Sequence, residues 1–128
     1  MGRWMGLWAI GIAGMILATA DARAQAEVPL FVDLPQIISN LNHDGPRQRF
    51  ILLNLSLEIG AQEDQAAIEN ELPRIQDLLI AYLRDVQLDD LEGSAGIYDL
   101  REQVLHRIRL AVRPIDVHGV LFREVLIQ

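Results

Sequence analysis

The chain has 128 residues, enough for one domain, with 51% hydrophobic residues and no cysteine. That excludes a disordered protein, a disulfide framework, a thiolate metal site and a cysteine nucleophile. Its 18 acidic residues outnumber 11 basic ones for a formal charge of −7, so no surplus of cations exists to neutralise phosphates, and every one of those cations is Arg, which removes lysine chemistry and the P-loop lysine.

From Trp4 to Ala20 no residue is charged, and Arg3 stands just before the stretch. At about 1.5 Å per residue it makes a helix of roughly 25 Å, the short end for a membrane span. It also reads as a secretory signal, because Ala24-Gln25-Ala26 has the small-x-small form of a cleavage site. Residues 1–26 are therefore a membrane anchor or a signal peptide with a short linker, and residues 27–128 are the folded domain. Trp4 and Trp8 lie near one end, where interface aromatics favour an anchor.

Val28 to Leu41 reads as a first extended segment. Pro29 and Pro35 keep it out of a helix and favour an edge or irregular strand. Asn42-His43-Asp44-Gly45-Pro46 is a turn cluster. Arg49, Ile51, Leu53, Leu55, Leu57 and Ile59 then fall on one face, with Asn54, Ser56 and Glu58 on the other, which is a strand by its period of two.

Ile68, Leu72, Ile75, Leu79 and Leu83 form one helical stripe over Asp64 to Arg84. Pro73 inside it predicts a kink or break near Leu72. Gln87 to Gly96 is an acidic loop, and Ser94 is the expected N-cap of a second helix from Ala95 to Val112. That helix carries Ile97, Leu100, Val104, Ile108 and Ala111 on one face and Arg101, Glu102, Arg107 and Arg109 on the other. Pro114 ends it. Ile115 to Ile127 is β-branched and apolar; Val117, Leu121, Val125 and Ile127 are assigned inward, and Gly119 marks a bulge. The fold class is α+β in the order β-β-α-α-β: a small sheet of about three or more strands covered by two helices, the first kinked, preceded by one N-terminal hydrophobic helix.

No chemical motif stands out. His43, His106 and His118 share no metal-ligand spacing. Asp89, Asp90 and Glu92 lack the alternation and central glycine of a calcium loop. None of Ser39, Ser56 and Ser94 sits in a nucleophile elbow, and no phosphate-binding glycine motif occurs. The reading is a non-enzyme with no catalytic, cofactor-binding or metal residues.

Five segments in order do carry a pattern. Leu34-Pro35-Gln36-Ile37-Ile38-Ser39-Asn40-Leu41 is an extended run closing on Asn-Leu, and the alternating strand Arg49 to Ile59 follows. Leu72-Pro73-Arg74-Ile75-Gln76-Asp77 sets a proline before an Ile-x-Asp pattern, and Gly96-Ile97-Tyr98-Asp99-Leu100-Arg101-Glu102 has the form Gly-x-x-x-Leu-Arg-Glu. Val120-Leu121-Phe122-Arg123-Glu124-Val125-Leu126-Ile127-Gln128 closes the chain. From Val28 to Gln128 this layout resembles the flagellar basal body-associated FliL family. The resemblance implies a domain of the stomatin/prohibitin (SPFH) type. Its motif residues, structural in role, would be Leu34, Pro35, Asn40, Leu41, Pro73, Gly96, Leu100, Arg101, Phe122 and Gln128.

It further implies a single-pass bacterial inner-membrane protein with its C-terminal domain in the periplasm. Its partners would be stator and basal body proteins and further copies of itself in a ring; it would bind the membrane through its N-terminal helix and bind no nucleic acid. Its function would be support of flagellar rotation, and so of swimming, swarming and chemotaxis. The alternative is a cleaved, soluble periplasmic binding or scaffold module of the same fold with no motor role.

Overall fold

One strand organises everything else. In the computed structural model, which describes residues 28–128, β3 (Arg49–Ile59) runs down the middle of a four-stranded antiparallel sheet. Its odd positions Ile51, Leu53, Leu55, Leu57 and Ile59 are buried against the helices, as the period of two requires. The sequence reading of residues 1–26 as an anchor or signal with a hydrophobic helix falls outside the described residues.

β1 (Leu30–Asp33) and β2 (Ile37–Leu41) lie end to end along one side of β3. They are the expected irregular edge lane, interrupted at Pro35, which has no N–H to give the ladder. Leu34 N–H still donates to the Leu55 carbonyl at 3.0 Å across the gap. The pairing Val32 to Leu57 becomes Ile37 to Leu53 after the gap, so the lane slips by one residue. That slip keeps Val32, Leu34, Ile37 and Leu41 all facing inward.

β4 (Val117–Ile127) occupies the other side of β3 and slips twice. Glu58 pairs with Gly119 but Ile59 with Val117, leaving His118 extra; Asn54 pairs with Glu124 but Leu55 with Phe122, leaving Arg123 extra. Inward positions are therefore Val117, Val120, Phe122, Val125 and Ile127. The inward assignment of Leu121 is overturned: it pairs with Ser56 on the uncovered face and is 48% exposed. A fixed period of two counted from Val117 skips both bulges, and only the first has a glycine beside it.

Helix α1 (Asp64–Asp85) buries Ile68, Ile75, Leu79 and Leu83 on the sheet. Of the expected kink or break near Leu72, the break does not occur, since the helix continues through Pro73. Pro73 is exposed, on the side of the helix away from the sheet, so the carbonyl that loses its partner there belongs to the solvent-facing turn. Ser39, inward on β2, donates its hydroxyl to the Ile80 carbonyl at 3.2 Å and ties this helix to the edge lane.

A short 3₁₀ turn, Leu88–Leu91, leads into α2 (Gly93–Ala111). Ser94 is not its cap: the helix starts one residue earlier at Gly93, whose φ of 73° turns the chain inward, a conformation glycine takes without steric cost. Leu100, Val104, Leu105 and Ile108 are buried beneath α2; Ile97 and Ala111, expected in its stripe, are only half-buried. Arg109, expected on the solvent face, instead reaches the first β4 bulge. Its guanidinium donates to the Val117 carbonyl at 2.8 Å and the His118 carbonyl at 2.9 Å. These are acceptors at the place where the bulge disrupts the ladder.

Two stability outcomes follow from these placements, both read by thermal or denaturant unfolding. Leu57→Ala should cost about 2–5 kcal/mol, whereas Leu121→Ala should stay within about 0.5 kcal/mol of the parent. Arg109→Ala, which leaves the bulge carbonyls without their charged donor, should cost about 1–2 kcal/mol.

Candidate functional site

Residues of the two helices and the 3₁₀ turn line a cleft of about 680 Å³. Its floor is Leu78, Ala81, Leu91 and Leu100, and its walls carry Tyr82, Asp85, Asp90, Asp99, Gln103 and Arg107. A shallower depression formed by Arg74, Leu78, Leu110 and Ala111 continues it past Arg107.

Two sequence features build this end of the fold. Gly96, buried in the first turns of α2, lets the helix press on the 3₁₀ turn. A Cβ there would collide with the Asp90 carbonyl oxygen and stand 2.8 Å from the Leu91 carbonyl carbon. Leu100, one turn on, fills the floor beneath it.

Tyr82 and Arg107 meet across the cleft. The guanidinium carbon lies 4.0 Å from the ring centroid, a close cation–π stack that joins α1 to α2. Partial burial pushes the Tyr82 hydroxyl above its ordinary pKa; Arg107, by charge and by hydrogen bond, opposes that shift without cancelling it, and Asp90 adds to it. Arg107, read from sequence as an outward charge, is therefore exposed but engaged. Arg101 makes a looser stack on Tyr98, at 5.1 Å.

The other motif residues scatter through the structure. Leu34 and Leu41 are buried at the ends of the edge-lane strands; Pro35 marks the slip between β1 and β2; Asn40 is exposed on β2. Pro73 lies on α1, and Phe122 is half-buried on β4. Gln128 pairs both its N–H and its carbonyl with Phe50, at 2.9 and 2.8 Å. Only Gly96 and Leu100 share the cleft.

The histidines serve locally. The ring nitrogen of His43 accepts from Gly45 N–H at 3.0 Å within the turn, and His118 lies 2.9 Å from Asp116 at the bulge. His106 is exposed on α2. Asp89, Asp90 and Glu92 are exposed around the 3₁₀ turn. Among the described residues no three His, Asp or Glu side chains gather as a metal site, and no buried side-chain polar atom lacks a hydrogen bond.

The face of the sheet that no described element covers is the second candidate surface, and sequence reasoning missed it. Ile38, Leu52 and Leu126 pair in one row across the three lanes, with Phe50 beside them. Ile38 is 55% exposed, and Phe50 and Leu126 are 40% exposed. The signal lay in β3 itself, where Phe50 and Leu52 are apolar on the face that Asn54, Ser56 and Glu58 mark as polar.

Residues 31–128 match the family described as flagellar basal body-associated protein FliL. The chain is 36% identical over 99 residues to a protein named flagellar FliL protein from Caulobacter vibrioides strain NA1000, and equally to its counterpart in strain CB 15. The match takes in 77% of this chain and 48% of either relative, so the chain spans about half the length of the curated relatives it matches.

Three outcomes check the cleft. Gly96→Ala should lower stability by about 1–3 kcal/mol, since backbone and not a flexible side chain must move. In a Tyr98→Phe background, Arg107→Ala should raise the Tyr82 pKa further, read from tyrosinate absorbance in an alkaline titration. Because the folded Tyr82 binds its proton more tightly than the unfolded one, its contribution to stability is complete below the unfolded pKa of about 10 and is lost as pH rises through the folded value. Tyr82→Phe should remove that part of the alkaline loss.

Proposed function

The chain belongs to the FliL family of flagellar basal body-associated proteins, and on that premise we propose that it is an accessory protein of the flagellar motor. In this reading copies gather as a ring around the stator units and support rotation, and with it swimming, swarming and chemotaxis. Residues 1–26 hold the protein in the inner membrane by a single pass, and residues 27–128 form an SPFH-like domain in the periplasm.

The family match over residues 31–128 carries the proposal, because it coincides with the folded domain. The names of the Caulobacter relatives support the flagellar setting. The uncharged stretch from Trp4 to Ala20 supports the anchor. Among the described residues no helix is long and apolar enough to cross a membrane. The chemistry fits assembly better than catalysis. The surface is acidic, and the titratable groups of the cleft are spread along its walls without a nucleophile–base pair among them.

Deletion of the gene in the host bacterium should leave flagella assembled and swimming or swarming impaired, with recovery on complementation. A deletion strain that moves like its parent under load would overturn the motor role. Fractionation with N-terminal sequencing tests the anchor: the intact chain should remain with the membrane, and a mature protein that begins at Glu27 and washes out with the periplasm would overturn it.

A further inference from the structure

We infer that the uncovered face of the sheet is a contact between two copies of this chain, packed sheet on sheet about a two-fold axis running along β3. Sheets stack in this way at about 10 Å, with strand directions kept within about 30°.

Charge is the first argument for a second copy as the occupant. Most contacts of this acidic chain with itself would set carboxylates against carboxylates. The row Ile38, Leu52, Leu126 and the neighbouring Phe50 is uncharged, and the row beyond is closed by the amides Asn40 and Gln128. Of the charges farther along, Asp33 accepts from the Ser56 hydroxyl at 2.6 Å and lies 3.6 Å from Arg123, and Glu124 accepts from Asn54 at 2.9 Å, whereas Glu58 has no partner among the described residues. Depletion of charge at the centre marks interfaces in general.

Register is the second argument. A two-fold axis along β3 sets the edge lane of one copy over β4 of the other. Ile38, level with Leu52, then faces Leu126 of the other copy, and Phe31, level with Glu58, faces Gly119, which leaves room for the ring. Asn40 faces Gln128, amide to amide. Two mismatches stand: at the far end of the face the axis sets Glu58 against Glu58 of the other copy, and Asp33 faces Leu121, with its carboxylate held back by Ser56 and Arg123.

Area and edges agree with this. At about 3.3 Å per residue and about 4.8 Å between strands, the face projects roughly 500 Å², and side-chain relief brings it toward the about 800 Å² per partner of a standard interface. Growth by strand addition is hindered instead: one edge is broken at Pro35 and the other is bulged at His118 and Arg123.

The inference deepens the self-assembly reading but names a different contact, since a two-fold interface pairs copies and cannot by itself close a ring. Its test needs neither motility nor localisation. The chain lacks cysteine, so Leu52→Cys in the full-length protein, treated in intact host cells with a short, membrane-permeant bifunctional thiol crosslinker, should give a covalent dimer. Leu110→Cys, on the helix layer, should give none. Adding Ile38→Lys, or adding Leu126→Glu, should cut the Leu52→Cys dimer at least tenfold while each protein melts like its parent. Co-expressing the two substituted chains under separate tags should restore a mixed dimer, because the changed positions face each other only between copies. Crosslinking at Leu110 but not Leu52, a dimer indifferent to Ile38→Lys, absence of the mixed dimer, or capture of another protein at Leu52 would each overturn the contact. A failed motility test with these crosslinks intact would instead strike at the motor role alone.

Discussion

The unbroken alternation of β3 is the constraint to which every other strand adjusts. Five successive odd positions, Ile51 to Ile59, are buried without a slip, and both neighbouring lanes pair with them. A one-residue shift in a partner strand would turn its apolar side chains to the wrong face. The edge lane corrects at Pro35, and β4 corrects at His118 and Arg123. Irregularity is thus confined to the outer lanes, where disrupted backbone groups can be served by neighbours, as Arg109 serves Val117 and His118.

The helix layer depends on the same frame through two close joins. Ser39 fastens α1 to the edge lane, while Gly96 lets α2 start hard against the 3₁₀ turn. The cleft is lined by both helices and the turn between them, and the Tyr82–Arg107 stack joins its walls. The arginines of this acidic chain act mainly by reach and geometry. They cap a bulge, cover rings and span strands, roles that suit a planar guanidinium with several donors.

Much of this was legible in the sequence. Strict alternation located β3, and spacings of three and four located both helices and most of their buried stripes, missing Leu105 and overstating Ile97 and Ala111. The prolines placed the irregular edge lane. What failed was local. Pro73 left a kink or a break open, and the break is excluded: on the outer side of a helix whose stripe continues past it, the lost hydrogen bond does not end the helix. Ser94 had the right chemistry for a cap, yet Gly93 offered a turn that needs none. Leu121 was misplaced because a bulge changes parity without changing composition, and Arg123, the second extra residue, is an ordinary surface residue by type. The motif glycine at 96 was visible only as part of a resemblance, since close approach is a property of two segments together.

The slips also bear on how such a domain changes over evolutionary time. An inserted or deleted residue within β3 would invert one half of the core relative to the other, and no second strand offers a compensating register. The same event near Pro35, His118 or Arg123 would add to or erase an irregularity that the sheet already accommodates. Gaps among relatives should therefore gather in the outer lanes, while the central strand keeps its length even where its side chains drift.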